Sequence, residues 1–286
     1  MQAHNKISTG ATPQAHSKIA VAGATGRVGH HVVEVLRERG HEVVPMARAT
    51  GVDVISGHGL TEALQGVECI IDTATGPSPE EHAATEFFTT AAHNLQQAGS
   101  RAGVKRIVVV SIIGCDRFTG GYGKAKVAHE QATLAGPIPA RILRAAQFHE
   151  FVAQMVDWAT QGEVAYVQHM RTQLVAARTV AEVLVDLATG PYAEDVVEVA
   201  GPREDSLLEA AKLLAARRGH PRRIEVGSDP SDVDRDLYQS DALLPGPGAI
   251  LAGPTFADWL DTAFKPAAAV TPPGASRTSG ARMARR

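Results

Sequence analysis

Three glycines spaced three residues apart follow the first apolar run of the chain and precede a segment with helical periodicity. The run Lys18–Ala22 leads into Gly23-Ala-Thr-Gly-Arg-Val-Gly29, after which apolar residues recur at helical spacing up to Gly40. In such a strand–turn–helix unit the first glycine permits a tight turn, the second lets the backbone approach a pyrophosphate, and the third allows close helix–sheet packing. The phosphates would lie at the helix N-terminus, where unpaired N–H groups and the helix dipole favour anions. The turn therefore predicts a dinucleotide site that comprises Gly23, Thr25, Gly26, Arg27, Val28 and Gly29.

Short apolar runs alternate with helical segments through the first half of the chain. Strands are predicted at 18–22, 42–46, 52–55, 68–72, 106–111 and 140–144. Past residue 147 the alternation loosens, with further strands predicted at 196–200 and 222–226. Apolar strands separated by helices are typical of a parallel sheet covered on both faces. The predicted fold class is α/β, a Rossmann-type doubly wound parallel sheet with a smaller C-terminal substrate-covering subdomain.

Shifts in composition divide the chain into four parts. The polar residues 1–17 are expected to form a disordered tail, and residues 18–147 the dinucleotide-binding core. Residues 148–264 are expected to cover the substrate and to add late core strands. The last segment, 265–286, has five basic residues and no acidic one, which leaves −8 on the rest of a chain whose net charge is −3. This basic tail is predicted to be disordered and solvated.

Composition also excludes several classes of function. The 28 Lys and Arg residues against 31 Asp and Glu give no basic excess, so no nucleic-acid partner is expected. Because no apolar run approaches about 18 residues and no signal-peptide core begins the chain, we expect no membrane partner and a cytoplasmic location. The two cysteines are expected to be buried free thiols. The twelve histidines form no H-E-x-x-H pattern, so no metal site is predicted.

The end of the second predicted strand indicates which dinucleotide would bind. An acidic side chain at this place usually holds the ribose 2′-hydroxyl of NAD(H), but the sequence here reads Pro45-Met-Ala-Arg48 and has no acid. Arg48 could instead bind a 2′-phosphate with two N–H groups, assisted by Arg27; in the alternative interpretation each is an ordinary exposed arginine. We therefore favour NADP(H) over NAD(H) as the cofactor.

One of the four tyrosines is followed four residues later by a lysine. Tyr122 and Lys126 begin a predicted helix and share one of its faces, and Ser111 ends the strand before it. A neighbouring ammonium favours the phenolate form of a tyrosine, and a serine hydroxyl can hydrogen-bond an oxygen that gains charge as hydride arrives. Ser111, Tyr122 and Lys126 are therefore the candidate catalytic residues. In the alternative interpretation Tyr122 packs against the sheet, and Lys126 binds only ribose or solvent.

With these residues in place, the sequence resembles the short-chain dehydrogenase/reductase superfamily, and more narrowly its atypical NmrA-like branch of NAD(P)-binding proteins. The similarity covers about residues 18–201. The motifs that carry it are Lys18-Ile-Ala-Val-Ala-Gly-Ala-Thr-Gly-Arg-Val-Gly29, Val109-Val-Ser-Ile-Ile-Gly114, Tyr122-Gly-Lys-Ala-Lys126 and Arg141-Ile-Leu-Arg-Ala-Ala-Gln-Phe-His149.

The resemblance implies further site residues. Thr73, Ala74 and Thr75 would line the dinucleotide, and Ser111 and Ile112 would lie on the nicotinamide side. The substrate cleft would be bordered by Gln147, Phe148 and His149, although His149 and Glu150 could equally be ordinary residues at the start of a helix. Two departures from the family pattern affect the expected site. Ser56-Gly-His-Gly59 stands where an aspartate commonly meets the adenine, and Ala145 replaces the usual proline after the strand.

These observations lead to a main hypothesis and two alternatives. The first is an NADP(H)-dependent oxidoreductase that transfers hydride to or from a small carbonyl, enone or quinone, with a homodimer as the default assembly. The second is a non-catalytic NAD(P)(H)-sensing regulatory protein, which the resemblance to the NmrA-like branch and the altered adenine region suggest, although the presence of Tyr122 favours activity. A nucleotide-sugar epimerase is less favoured, because the second half of the chain is short for a large substrate domain.

Overall fold

A seven-stranded parallel sheet forms the centre of the protein in the computed structural model, which describes residues 16–191, 194–227, 230 and 232–264. The strands of the described residues are β1 (Lys18–Ala22), β2 (Glu42–Met46), β3 (Cys69–Asp72), β4 (Arg106–Ile112), β5 (Ala140–Ala145), β6 (Thr160–Gln161), β7 (Val164–Gln168), β8 (Arg171–Thr172), β9 (Val196–Ala200), β10 (Asp205–Ser206), β11 (Arg223–Gly227) and β12 (Ile250–Leu251). The central sheet has the order β12-β9-β5-β4-β3-β1-β2, with each pairing parallel. The predicted α/β Rossmann-type fold is confirmed.

Helices cover both faces of this sheet. They are α1 (Gly29–Glu38), α2 (Leu60–Ala63), α3 (Glu81–Ala102), α4 (Gly121–Leu134), α5 (His149–Ala159), α6 (Ala177–Thr189), α7 (Leu207–Arg218) and α8 (Phe256–Ala263). On one face Val108 packs with Val33 of α1 and Leu184 of α6, and on the other Val109 packs with Leu95 of α3. Because both faces are buried, the strands read as continuous apolar runs in the sequence.

The strand order places the predicted dinucleotide site. Strand β1 lies between β2 and β3, so the chain leaves β1 toward one side of the sheet and later continues on the other. Ligands of open α/β sheets bind at such a switch point, in the crevice beyond the carboxyl ends of the strands. The glycine turn follows β1, and Thr73 follows β3. Both segments therefore border the same crevice.

The strand predicted at 52–55 is wrong, because side chains take up the backbone groups of this segment. The Asp53 carboxylate accepts the Ile55 N–H at 2.9 Å and the Ser56 hydroxyl at 3.1 Å. The Asn94 side-chain amide of α3 donates to the carbonyls of Val54 and Ile55, at 2.9 and 2.8 Å. With these groups satisfied locally, the segment is a loop between β2 and α2.

The second half of the chain divides between the central sheet and a smaller layer. Helix α6 and strands β9 and β12 join the central unit, so residues 148–264 do not form one separate block. The smaller layer contains the sheet β11-β7-β6 and the helices α5, α7 and α8, whose apolar side chains form their own cluster. The late strand predicted near 222–226 is therefore β11 of this layer. Most of both predicted tails, residues 1–15 and 265–286, lies outside the described residues.

Candidate active site

The glycine turn is held by contacts that leave no room for side chains at two of its positions. Gly23 has φ +73° and donates its N–H to the Met46 carbonyl at 3.0 Å. A Cβ at Gly23 would lie 2.8 Å from the backbone of Ala74, and one at Gly29 would lie 2.1 Å from the Gly23 carbonyl oxygen. Thr25, Gly26 and Arg27 are exposed, and Val28 is buried immediately before α1. The turn is thus fixed on the side that packs against the sheet and exposed at residues 25–27.

The segment after β3 supports this turn from the neighbouring strand. The Thr73 hydroxyl donates to the Ala22 carbonyl at 2.7 Å, and Thr73 and Ala74 are both buried. Thr75 is exposed. Of the three residues predicted to line the dinucleotide, two therefore form the floor under the glycine turn, and Thr75 lies at the surface.

The two arginines predicted to select the cofactor have different surroundings. Arg48 is exposed in a short 3-10 turn directly after β2, where its backbone carbonyl accepts the Gly51 N–H at 3.1 Å, and its guanidinium makes no hydrogen bond or ion pair within the described residues. Arg27 donates from Nη2 to Oε1 of Gln154 in α5 at 2.6 Å. Arg27 thus links the glycine turn to the second half of the chain, and it would have to leave Gln154 to assist Arg48.

Tyr122 lies in the first turn of α4, where it is half-buried. Its ring packs edge-on against Phe88 of α3, with the ring centroids 5.7 Å apart. Burial raises the pKa of the Tyr122 hydroxyl. This direction is opposite to the lowering expected from a neighbouring ammonium, because Lys126 turns its charge toward other partners. Tyr122 is therefore a neutral phenol at neutral pH.

Lys126 is buried, and its ammonium belongs to a chain of hydrogen bonds inside the protein. Its Nζ donates to the Val110 carbonyl of β4 at 2.8 Å and to Nδ1 of His129 at 2.8 Å. Nε2 of His129 lies 3.1 Å from Oδ2 of Asp72, the last residue of β3. The Lys126 ammonium also lies 4.3 Å from the ring centroid of Phe88. Burial is the main cause that lowers the pKa of Lys126 to about 8, and Asp72 opposes it.

Ser111 of β4 belongs to a second buried polar group, which includes Glu130 on the next turn of α4. Its hydroxyl lies 3.7 Å from Sγ of Cys115, and that thiol donates to Oε1 of Glu130 at 3.3 Å. Arg144 of β5 binds both carboxylate oxygens of Glu130, at 3.0 and 2.8 Å. Burial acts to raise the pKa of Glu130, but these hydrogen bonds outweigh it and leave the pKa lowered. The catalytic candidates Ser111 and Lys126 thus each have internal partners.

The residues predicted to border the substrate follow β5. Oε1 of Gln147 accepts the Thr172 hydroxyl, and Phe148 is partly buried against the core. His149 is fully buried, hydrogen-bonds the Pro254 carbonyl at 3.1 Å and packs against the rings of Phe256 and Trp259. Burial lowers the pKa of His149 to about 4. The structure therefore packs His149 under α8, and its place beside the substrate cleft stays a prediction.

Sequence reasoning missed several residues that shape this site. Phe88, Asp72 and His129 surround Lys126, and Asp234 fixes the start of α4. The Asp234 carboxylate accepts the N–H groups of Thr119 and Gly120 at 2.8 and 2.9 Å, and also the Thr119 hydroxyl. The available signals were weak: His129 lies three residues after Lys126 on one helix face, and Asp72 is an acid at the end of an apolar run.

One group in the described part of the chain brings possible metal donors together. His30, His31 and Glu34 each place one donor atom within 4.8 Å of the others. The Glu34 carboxylate already lies 3.0 Å from Nδ1 of His31 and 3.7 Å from Arg178, so these donors have other partners within the protein. That the chain holds no metal stays a prediction.

Comparison with known proteins extends these observations. Residues 23–191 match the model of a family described as NAD(P)H-binding. The chain is 24% identical over 231 residues to the photosystem II assembly factor Ycf39 of Synechocystis sp., which covers 72% of this chain and 69% of that protein. It is 30% identical over 104 residues to an L-arabinose 1-dehydrogenase (NAD(P)(+)) of Haloferax volcanii, which covers 33% of this chain and 41% of the other.

Solved structures share the fold at low sequence identity. MoeE5 in complex with UDP-glucuronic acid and NAD superposes with a TM-score of 0.65 at 20% identity, over 86% of this chain and 100% of that one. A UDP-N-acetylglucosamine 4-epimerase from Bacillus cereus gives a TM-score of 0.63 at 17% identity, over 86% of this chain and 94% of that one.

Within the described residues, no helix is both long and apolar enough to cross a membrane.

The family match spans more than half of the chain, and it includes the glycine turn, the ends of β3 and β4, and the Tyr122–Lys126 helix. The chain has the NAD(P)-binding oxidoreductase type of fold. It belongs to the NAD(P)H-binding family, so the predicted membership of an NAD(P)-binding family is confirmed.

Proposed function

We propose that this protein is an NADP(H)-dependent oxidoreductase that transfers hydride to or from a small carbonyl, enone or quinone. The observation that carries the proposal is the glycine turn, in which Gly23 and Gly29 are packed so closely that the backbone itself forms the binding surface. The exposed residues Thr25, Gly26 and Arg27 lie directly before the N-terminus of α1. This arrangement suits a pyrophosphate, because a helix N-terminus attracts anions.

Arg48 supports the choice of NADP(H). Its guanidinium is exposed at the carboxyl end of β2, where the family holds the adenosine ribose, and no hydrogen bond of the described residues engages it. A guanidinium can bind a 2′-phosphate with two N–H groups. Thr75 and Ile112 would face the rest of the dinucleotide from the ends of β3 and β4. The bound nicotinamide would supply or accept the hydride.

Tyr122 is the proposed proton donor to the substrate oxygen. Because burial raises its pKa, the hydroxyl keeps its proton at neutral pH, which favours the direction of reduction. Lys126 uses two of its three N–H groups for Val110 and His129, which leaves one donor for a ribose hydroxyl. For Ser111 to donate to the substrate, its hydroxyl would turn away from Cys115.

Oxidation of NADPH by a panel of carbonyls, enones and quinones tests this role. UDP-glucose and UDP-glucuronic acid, which MoeE5 binds, are tested in the opposite direction with NADP, because their hydroxyl groups can donate a hydride and they have no ketone or aldehyde to accept one. With an active substrate, Tyr122→Phe is expected to lower kcat/KM by about 100-fold while the Kd of NADPH stays unchanged, since general acid catalysis contributes roughly 10²–10⁴-fold. Tyr166→Phe, at an exposed tyrosine of β7, is the matched control. An unchanged rate in Tyr122→Phe rejects the proposed acid.

A non-catalytic dinucleotide sensor is the second candidate. The observation that favours it is the position of Lys126, whose ammonium binds Val110 and His129 while Tyr122 packs on Phe88. Similarity to an assembly factor agrees with a role carried out through a protein partner. Calorimetric titration separates the two functions: a sensor binds NADP and NADPH with different affinity and turns over none of the panel.

A further inference from the structure

Three ionisable side chains beneath the proposed catalytic face form one continuous chain of hydrogen bonds. Asp72, His129 and Lys126 are each no more than 4% exposed, and they come from two different elements, β3 and α4. Burial of charged groups is costly unless they are paired and hydrogen-bonded. Ordinary packing would be served better by apolar residues of similar volume, so this set of residues needs another explanation.

The donors and acceptors of this chain determine the state of His129. An ammonium can only donate, so Nδ1 of His129 accepts from Lys126 and Nε2 carries the ring proton. Nε2 then donates to the Asp72 carboxylate. Burial, together with the charge of Lys126, lowers the pKa of His129, in agreement with a neutral ring. The three groups thus form a directed chain from a cation through a neutral imidazole to an anion.

Asp72 also connects this chain to the dinucleotide site. Its second oxygen, Oδ1, accepts the Ala74 N–H at 2.9 Å. The backbone of Ala74 is the surface against which Gly23 packs, 2.8 Å from where a Cβ would lie. At the other end of the chain, Lys126 donates to the Val110 carbonyl, next to Ser111 in β4. One carboxylate therefore holds both the support of the glycine turn and the partner of Lys126.

Phe88 isolates the Asp72–His129–Lys126 hydrogen bonds from water. Its ring stacks on His129 with the centroids 4.6 Å apart, and Lys126 lies 4.3 Å from the same ring. Phe88 itself is 1% exposed. In a water-excluded environment each hydrogen bond of the chain is stronger, and the loss of one partner is more costly.

We propose that Asp72 and His129 are positioning residues, which hold the Lys126 ammonium at the end of β4 for contact with the dinucleotide ribose. The contact with the ribose rests on the proposed function, because Lys126 would be the group that touches the cofactor. Two variants separate positioning from packing. His129→Gln keeps an acceptor for Lys126 and a donor for Asp72, whereas His129→Leu fills a similar volume and offers neither.

The first measurement needs no ligand. In ¹⁵N-labelled protein we expect the Nε2–H tautomer of His129 and a slowly exchanging Lys126 ammonium resonance. The Lys126 resonance should persist in His129→Gln and be lost in His129→Leu, while His93→Leu, at an exposed histidine of α3, should leave it unchanged. An Nδ1–H tautomer in the wild-type protein, or an unchanged Lys126 resonance in His129→Leu, overturns the proposed hydrogen-bond chain.

The second measurement is the Kd of NADPH between pH 6 and 9 by calorimetry. His129→Leu is expected to weaken NADPH binding about tenfold at pH 7, because a charge-assisted hydrogen bond to Lys126 is gone. For the same reason Lys126 should lose its proton, and NADPH its affinity, at a lower pH than in the wild type. His129→Gln should stay within about threefold of the wild type at each pH. Equal losses in both variants indicate packing alone and overturn the positioning role. Absence of NADPH binding in the wild type refutes the proposed function, and the NMR measurement still decides the hydrogen-bond chain.

Discussion

The glycine turn and the cluster around Lys126 lie at the same edge of the sheet, but different atoms define them. The turn is fixed by backbone groups: the Met46 carbonyl, the Gly23 carbonyl and the main chain of Ala74. The cluster is fixed by side chains, because Lys126 depends on Asp72, Phe88 and His129. A backbone-defined site requires only the absence of a Cβ, and glycine shows that requirement directly in the sequence. A site defined by side chains requires particular partners, and no single one of these partners is recognisable in the sequence as part of a site.

The most severe way to break the turn is Gly29→Ala. Its Cβ would lie 2.1 Å from the Gly23 carbonyl oxygen, a backbone atom that cannot move without β1. We expect a loss of about 3 kcal/mol in the free energy of unfolding and loss of measurable NADPH binding. Urea unfolding and calorimetry measure the two effects. Gly248→Ala is the control, since open space surrounds that position; equal behaviour of the two variants contradicts the packing argument.

The cluster is tested through its pH dependence. Burial lowers the pKa of Lys126 from its ordinary value of 10.5 to about 8, so the folded protein binds fewer protons than the unfolded chain between these pH values. The free energy of unfolding, compared with that of Lys126→Met, should therefore rise from pH 8 to 10.5, by at most about 3 kcal/mol. Denaturant unfolding across this range measures the difference. A constant difference between the two proteins would show that Lys126 titrates as in the unfolded chain.

Arg48→Ala tests the selectivity for NADPH over NADH, and its expected effect on binding is smaller than that of Gly29→Ala. If Arg48 binds the 2′-phosphate, the variant should weaken NADPH binding about tenfold, roughly 1.4 kcal/mol, and leave NADH binding unchanged. Arg37→Ala, at an exposed arginine near the C-terminal end of α1, is the control. Equal losses for both dinucleotides would remove the basis for NADP(H) preference.

Much of the central sheet was predictable because its strands are buried on both faces and so appear as short apolar runs. The runs at 18–22 and 42–46 coincide with β1 and β2. The run at 52–55 is equally apolar, but Asn94, forty residues later, binds its carbonyl groups. Strand propensity does not include such a side-chain partner, so the sequence alone could not show that this segment is a loop.

The candidate site, like the sheet, was predictable only in part. The positions of the turn glycines follow from their spacing, whereas the orientation of Lys126 depends on His129 of the same helix and on Asp72 at the end of β3. His149 shows the same limit. Its partners Pro254, Phe256 and Trp259 are more than a hundred residues away and bury it under α8. Side-chain partners from distant segments are set by tertiary packing, which neither periodicity nor motif spacing describes.

The central claim is that the glycine turn binds a dinucleotide and that Arg48 selects its phosphorylated form. Calorimetric titration of the wild-type protein with NADPH and with NADH tests it most directly. We expect one site per chain for each dinucleotide and an affinity for NADPH about tenfold higher than for NADH. Absence of binding for both, or tighter binding of NADH, would contradict the claim.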